Sequence, residues 1–145
     1  MYVPLVKIYM VKEKKLPYGK ESIDHPQKVV KLARQLLNGV DKEHLLVIPV
    51  DAAAKPVGIE IVSIGSLNGA VLEPREVFKH AILSNAAGIL IIHNHPSGNV
   101  IPSEEDCRVT ERVRQAGDLL GIPVLDHIIL GDEEMYLSMK EENYW

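Results

Sequence analysis

The order of elements predicted by the sequence is β-α-β-β-α-β-α-β-β, an α/β fold with a mixed (α+β) sheet. Three observations predict it. Residues 43–50 and 89–92 are nearly continuous apolar runs, the pattern of strands buried on both faces. Residues 103–120 repeat apolar positions at helical spacing between a Ser at one end and a Gly at the other. Strand-like and helix-like stretches alternate along the chain, as in a sheet covered by helices.

The elements follow in order. Residues 5–11 (Leu-Val-Lys-Ile-Tyr-Met-Val) are rich in β-formers and read as a first strand. Pro17 and Gly19 mark the polar stretch after it as a turn or loop. Asp24 is placed to cap the next helix and Pro26 suits its first turn. Val29, Leu32, Ala33, Leu36 and Leu37 then recur at helical spacing, and Gly39 ends the element. Residues 57–64 read as a strand antiparallel to 43–50 across a short turn. Residues 65–71 form a loop of small residues. Pro74 begins a helix with Val77, Phe78, Ala81 and Ile82 on one face, and Gly88 separates it from strand 89–92. In the helix 103–120, Asp106, Val109, Val113, Ala116 and Leu120 fall on one stripe, with Gly121 past the end. Residues 124–130 and 134–139 close the chain as two strands joined at Gly131-Asp132.

The chain has 145 residues, of which 46% are hydrophobic. That is the length of one domain and the apolar content of a globular one, so disorder is not expected. The net charge of −4 argues against broad, sequence-independent nucleic-acid binding, which needs many contacts from Lys and Arg to phosphates. Lys12, Lys14, Lys15 and Lys20 cluster near the N-terminus and read as a solvated hairpin or loop. Cys107 is the single cysteine, so no intrachain disulfide forms. No segment is long and apolar enough to span a bilayer, and the first residues lack the features of a signal peptide. The expected location is cytoplasmic.

Chemistry concentrates where strand 89–92 ends, in His93-Asn94-His95-Pro96-Ser97-Gly98. Residues two apart on an extended chain point the same way, so the two imidazoles can converge on one ion. Asp106 follows in the first turn of a helix. Two ring nitrogens and one carboxylate oxygen are a ligand set typical of catalytic zinc, with a fourth position left for water. Ser103-x-x-Asp106 also matches a capping box, in which Asp106 serves only the helix end. Yet Asp106 shares the inward stripe, and an ionised carboxylate there needs a partner. Ser103 can cap the helix and line the site. A metal-bound water needs a base, and Glu43, Glu60, Glu73 and Glu76 are all candidates. Asp126-His127 reads either as a pair orienting a ligand or as core hydrogen bonding. His80 reads as solvated, His25 and His44 as structural or exposed, Arg75 as a solvated helix-start residue and Cys107 as a plain small residue. Ser97 shapes the loop.

These motifs resemble the RadC family, within the wider JAB/MPN metalloprotease-like fold that carries the JAMM motif. The resemblance is carried by Gly65-Ser66-Leu67, Pro74-Arg75-Glu76-Val77, Asn85-Ala86-Ala87, His93 to Gly98, Pro102 to Asp106 and Asp126-His127-Ile128-Ile129-Leu130. It implies an MPN/JAB (cytidine-deaminase-like) architecture with Zn²⁺ held by His93, His95 and Asp106. Glu43 matches the motif's upstream glutamate, the general base, and Ser103 its serine, which stabilises an oxyanion. The implied activity is hydrolysis of a peptide or isopeptide bond in a peptide or protein substrate by a metal-activated water. Loops 65–71 and 99–102 would supply specificity. Longer RadC proteins carry a helix-hairpin-helix region ahead of this domain. Residues 1–145 read as a single RadC-like JAB domain without it, so a DNA role tied to that region is not carried over. A rival expectation is a non-catalytic binding module in a DNA-repair or mobile-element setting. Direct nucleic-acid binding is disfavoured and no membrane partner is expected.

Overall fold

The computed structural model describes residues 1–65 and 72–145. Its elements in chain order are α1 (Pro26–Leu37), β1 (His44–Val50), β2 (Glu60–Ile64), α2 (Pro74–Leu83), β3 (Gly88–Asn94), α3 (Glu104–Leu120), β4 (Val124–Leu130) and β5 (Tyr136–Ser138). The five strands form one mixed sheet in the order β2-β1-β3-β4-β5. β1 runs antiparallel to both β2 and β3, β3 runs parallel to β4, and β5 returns antiparallel to β4. The α/β fold with a mixed sheet is therefore the observed one.

Helices cover both faces. Val29, Leu32, Ala33 and Leu37 of α1 pack on Leu46, Ile48, Val50, Leu90 and Ile92. Val77, Phe78 and Ala81 of α2 and Val113 of α3 pack on Leu45, Val47, Ile89 and Ile91. The even–odd alternation of β1 and β3 is thus split cleanly between the two layers. β3 is buried along its whole length, as expected of a central strand covered on both sides.

The predicted first strand does not form. Leu5, Val6, Ile8 and Val11 are exposed, Leu5 fully so at 102%, and residues 5–11 have no ladder partner among the described residues. β-propensity describes how a side chain suits a pleated surface and does not supply the neighbour whose backbone groups complete the ladder. The order is therefore α-β-β-α-β-α-β-β. Lys12, Lys14, Lys15 and Lys20 are exposed, without a hairpin.

Smaller corrections have local causes. His25, not Asp24, precedes α1, and its side chain makes no capping hydrogen bond. Asp24 instead pairs with Lys28 Nζ at 2.8 Å, one turn on. The buried stripe of α3 is Asp106, Thr110, Val113 and Gly117, so Leu120 lies off it and is half exposed. Gly117 belongs there because a Cβ would meet the Ile122 carbonyl and the Phe78 ring. Ile82 is 52% exposed, whereas Phe78 is fully buried between α2, α3 and the sheet. Of loop 65–71, Ser66 to Val71 lie outside the described residues.

This packing sets unequal costs on one helix. Phe78→Ala should destabilise by about 4 kcal/mol, the usual cost of a large core cavity. Ile82→Ala should cost less than about 1 kcal/mol, as expected of a half-exposed position. Chemical denaturation of the two variants measures both, and equal losses would contradict the assigned face.

Candidate metal centre

Three chain segments reach one end of the sheet because of strand direction. β3 ends at Asn94, next to His93 and His95. β1 is antiparallel to β3 and begins where β3 ends, with Leu45 opposite His93. Glu43 lies two residues before Leu45, on the face that Leu45 and Val47 present to α2 and α3. α3 begins beside the same strand end, which brings Asp106 back in its first turn. Ligand atoms of Glu43, His93, His95 and Asp106 all lie within 4.8 Å of one another.

The donors are spaced as ligands of one ion. His93 Nε2 stands 2.9 Å from His95 Nε2, 3.4 Å from Asp106 Oδ1 and 3.6 Å from Glu43 Oε1. His95 Nε2 stands 3.1 Å from Asp106 Oδ2. Donors around a tetrahedral zinc at its usual bond lengths are roughly 3.3 Å apart. Hydrogen accounting supports a cation there. His95 Nδ1 is 2.6 Å from the Asn99 carbonyl, which can only accept, so Nδ1 carries the hydrogen. Neutral His95 then turns a lone pair toward the cluster, where two carboxylates and the His93 ring already converge. A proton or a metal ion would satisfy such a group.

The proton's effect is visible in the electrostatics. The hydrogen bond to Asp106 raises the pKa of His95 above its ordinary 6.5, against the opposing effect of burial. Burial pushes the Asp106 carboxyl up, but the adjoining His93 and His95 rings and the Ser103 N–H outweigh it and hold it well below the usual carboxylate range. Asp106 also completes the capping box. Ser103 N donates to Asp106 Oδ2 at 2.9 Å, and Asp106 N donates to Ser103 Oγ at 3.0 Å. Asp106 therefore caps the helix and also turns its carboxylate to the two histidines. A φ of +86° at Gly98 closes the turn in which Gly98 N donates to the His95 carbonyl, and a Cβ there would run into the Asp132 carboxylate. Ser97 is exposed and its Oγ accepts from Asn99 N at 3.4 Å, within the loop.

The other candidate glutamates lie elsewhere. Glu60 is on edge strand β2 opposite Val47, its pKa raised by burial and shaded by Lys79 and Glu76. Glu73 pairs with Arg112 and Glu76 with Lys79. His80 is half buried rather than solvated. Its ring lies where a Cβ on Gly58 would be, and burial lowers its pKa. Asp126 and His127 point to opposite faces. Asp126 accepts from Ser138 Oγ, His127 N and Lys140 N, tying β4 to the C-terminal segment. His127 Nε2 lies 2.6 Å from His93 Nδ1.

Two residues of this site were not anticipated. Asn94 points away from the histidines, where its Oδ1 accepts from His44 N at 2.7 Å and its Nδ2 donates to the Lys42 carbonyl at 3.0 Å. It thereby grips the backbone on both sides of Glu43. Thr110, one turn after Asp106, is buried and touches His127. A polar residue on a buried stripe was the available signal for Thr110, and strand alternation between the two histidines was the signal for Asn94.

Known proteins resemble this chain across most of its length. A family model described as a RadC-like JAB domain matches residues 23–144. UPF0758 proteins of Caldanaerobacter subterraneus and Desulfitobacterium hafniense are 45% identical over 124 residues and 42% identical over 125 residues. Each match covers 86% of this chain, and 53% and 55% of the respective relatives. A UPF0758 protein of Methanococcoides burtonii is 48% identical over 103 residues, 71% of this chain and 44% of that protein. The chain spans about half the length of the curated relatives it matches. No described helix is long and apolar enough to cross a membrane.

The raised pKa of His95 fixes the sign of a pH effect. A metal ion held at His95 Nε2 would compete there with a proton, so apparent metal affinity should fall as pH drops through the raised value, beginning above 6.5. Asp106 stays ionised through that range and adds no slope. Zinc titrations between about pH 5 and 8 should show close to one decade of Kd per pH unit on the acid side, levelling at higher pH. A flat profile would remove His95 from the donor set.

Proposed function

The chain belongs to the RadC-like JAB domain family, and from that premise we propose that it is a zinc-dependent hydrolase of the JAMM type, cleaving a peptide or isopeptide bond. The observation that carries this reading is the cluster of Glu43, His93, His95 and Asp106, with ligand atoms within 4.8 Å of one another and Nε2 of His95 turned into it while Nδ1 faces the Asn99 carbonyl. His93, His95 and Asp106 are the proposed ligands. Zinc bound there would lower the pKa of a bound water and polarise a substrate carbonyl.

The protein's own groups then divide the work. Glu43 is partly exposed, with its carboxylate 3.6 Å from His93 Nε2 at the mouth of the cluster. It is the base in this reading: a carboxylate oxygen takes a proton from the attacking water and passes it to the leaving amine nitrogen. Asn94 and the hydrogen bond from Gly65 N to the Glu43 carbonyl (2.7 Å) hold that backbone in place. Ser103 Oγ accepts from Asp106 N, which leaves its own hydrogen free to donate to a developing oxyanion. One such donor is typically worth about 3 kcal/mol. The substrate in this reading is a peptide or protein.

Glu43→Gln tests the base. The variant should keep stoichiometric zinc by metal analysis and lose about 10²- to 10⁴-fold in hydrolysis of a peptide and isopeptide library. Loss of zinc instead would make Glu43 a ligand. Wild-type protein that holds zinc, retains a protein partner and cleaves nothing would point to a non-catalytic binding module.

Asn94→Ala should separate position from chemistry. Zinc content is expected to stay at the wild-type level, while kcat falls roughly tenfold or more as the Glu43 backbone loses its clamp. An unchanged kcat would show that the strand pairing alone holds Glu43.

A further inference from the structure

Behind His93 runs a buried chain of hydrogen bonds that the proposed chemistry does not use. His93 Nδ1 lies 2.6 Å from His127 Nε2, His127 Nδ1 lies 2.6 Å from Thr110 Oγ1, and Thr110 Oγ1 lies 2.6 Å from the main-chain oxygen of Asp106. His93 and His127 are fully buried and Thr110 almost so. The other described contact along it is weak: Met139 Sδ, 3.6 Å from Thr110 Oγ1.

Each link holds one hydrogen, so the chain has one direction to choose. The Asp106 carbonyl can only accept, and at 2.6 Å it takes the Thr110 hydroxyl hydrogen. Thr110 Oγ1 is then an acceptor, so His127 carries its hydrogen on Nδ1. That leaves the lone pair of neutral His127 on Nε2, so His93 carries its hydrogen on Nδ1. The lone pair of His93 is therefore on Nε2, the atom facing His95 and Asp106. The reverse direction would put a hydrogen on His93 Nε2 and block it as a ligand.

We propose that Thr110 and His127 are positioning residues that lock His93 in the ligating tautomer, with the Asp106 backbone as the terminal acceptor that sets the direction. The relay starts at one ligand on β3, crosses β4 and ends on the residue of α3 that supplies another ligand. It rests on the reading of the cluster as a metal centre. Partners behind ligating histidines are commonly worth 10- to 100-fold in metal affinity.

The test is zinc affinity of the full chain by chelator competition. Thr110→Val keeps the shape and removes the hydroxyl, and Kd should rise about 10- to 100-fold. Thr110→Ser restores the hydroxyl and should return Kd to within about threefold of wild type, a rescue that a packing role for the Thr methyl does not give. His127→Gln, whose amide oxygen can still accept from His93, should lose less affinity than His127→Leu. That pair carries the test if Thr110→Val does not fold. In zinc-loaded wild type, nitrogen-15 histidine spectra should show a slowly exchanging hydrogen on His93 Nδ1, absent in His127→Leu. Valine and leucine variants that bind zinc within about twofold of wild type would overturn the relay and leave the metal centre standing. Wild-type protein that binds no zinc would overturn the metal centre and the relay with it.

Discussion

A fully buried imidazole at the end of a fully buried strand is the constraint on which the site depends. His93 has no access to water, so each ring nitrogen must find its partner within the protein. Nδ1 faces His127 and Nε2 faces the other three donors. An ordinary core would place a fifth apolar residue here, continuing Ile89 to Ile92. The histidine instead commits β1, α3 and β4 to supplying polar groups at that depth. Leaving any of them unpaired would cost on the order of 1–3 kcal/mol, more for a charge.

Sheet topology makes that commitment feasible. β3 sits between an antiparallel neighbour and a parallel one. The start of β1, the end of β3 and the start of α3 therefore meet at one end of the sheet, although Glu43 and Asp106 are far apart in sequence. Sites in open α/β sheets form at such changes of strand direction. The start of α3 adds its own bias, since the unpaired N–H groups of a first turn favour a carboxylate. Asp106 is held by that helix end and by the two histidines together, which accounts for its strongly lowered pKa.

Much of this was legible in the sequence, for identifiable reasons. The buried strands showed as unbroken apolar runs, and His-x-His at a strand end followed by Ser-x-x-Asp at a helix start placed three of the four clustered residues. Glu43 could not be chosen over Glu60, Glu73 or Glu76 from composition, because the choice depends on the β1–β3 register. His127 was ambiguous until the two sides of β4 were separated: Asp126 turns to Ser138 and His127 to His93. The stripe of α3 was drawn through Val109, Ala116 and Leu120 because apolarity was the guide. The buried face runs through Thr110 and Gly117, chosen for a hydroxyl and for close approach. Residues 5–11 failed in the opposite sense: β-forming side chains without a neighbouring strand make no strand.

The same residues carry structural and chemical duties, and the division follows individual atoms. Asp106 Oδ2 accepts from Ser103 N, while Oδ1 lies toward His93. The Asp106 main-chain oxygen accepts from Thr110. Asn94 is framed by two candidate ligands yet directs its amide to the opposite layer, where it holds the chain around Glu43. A helix cap, a strand clamp and a buried threonine would each look purely structural in isolation. Their common feature is that each ends on an atom of the four-residue cluster or on the backbone beside one. Buried polar groups that are fully paired rigidify their surroundings. Here that rigidity falls on the four clustered side chains, so their convergence is set by the fold itself.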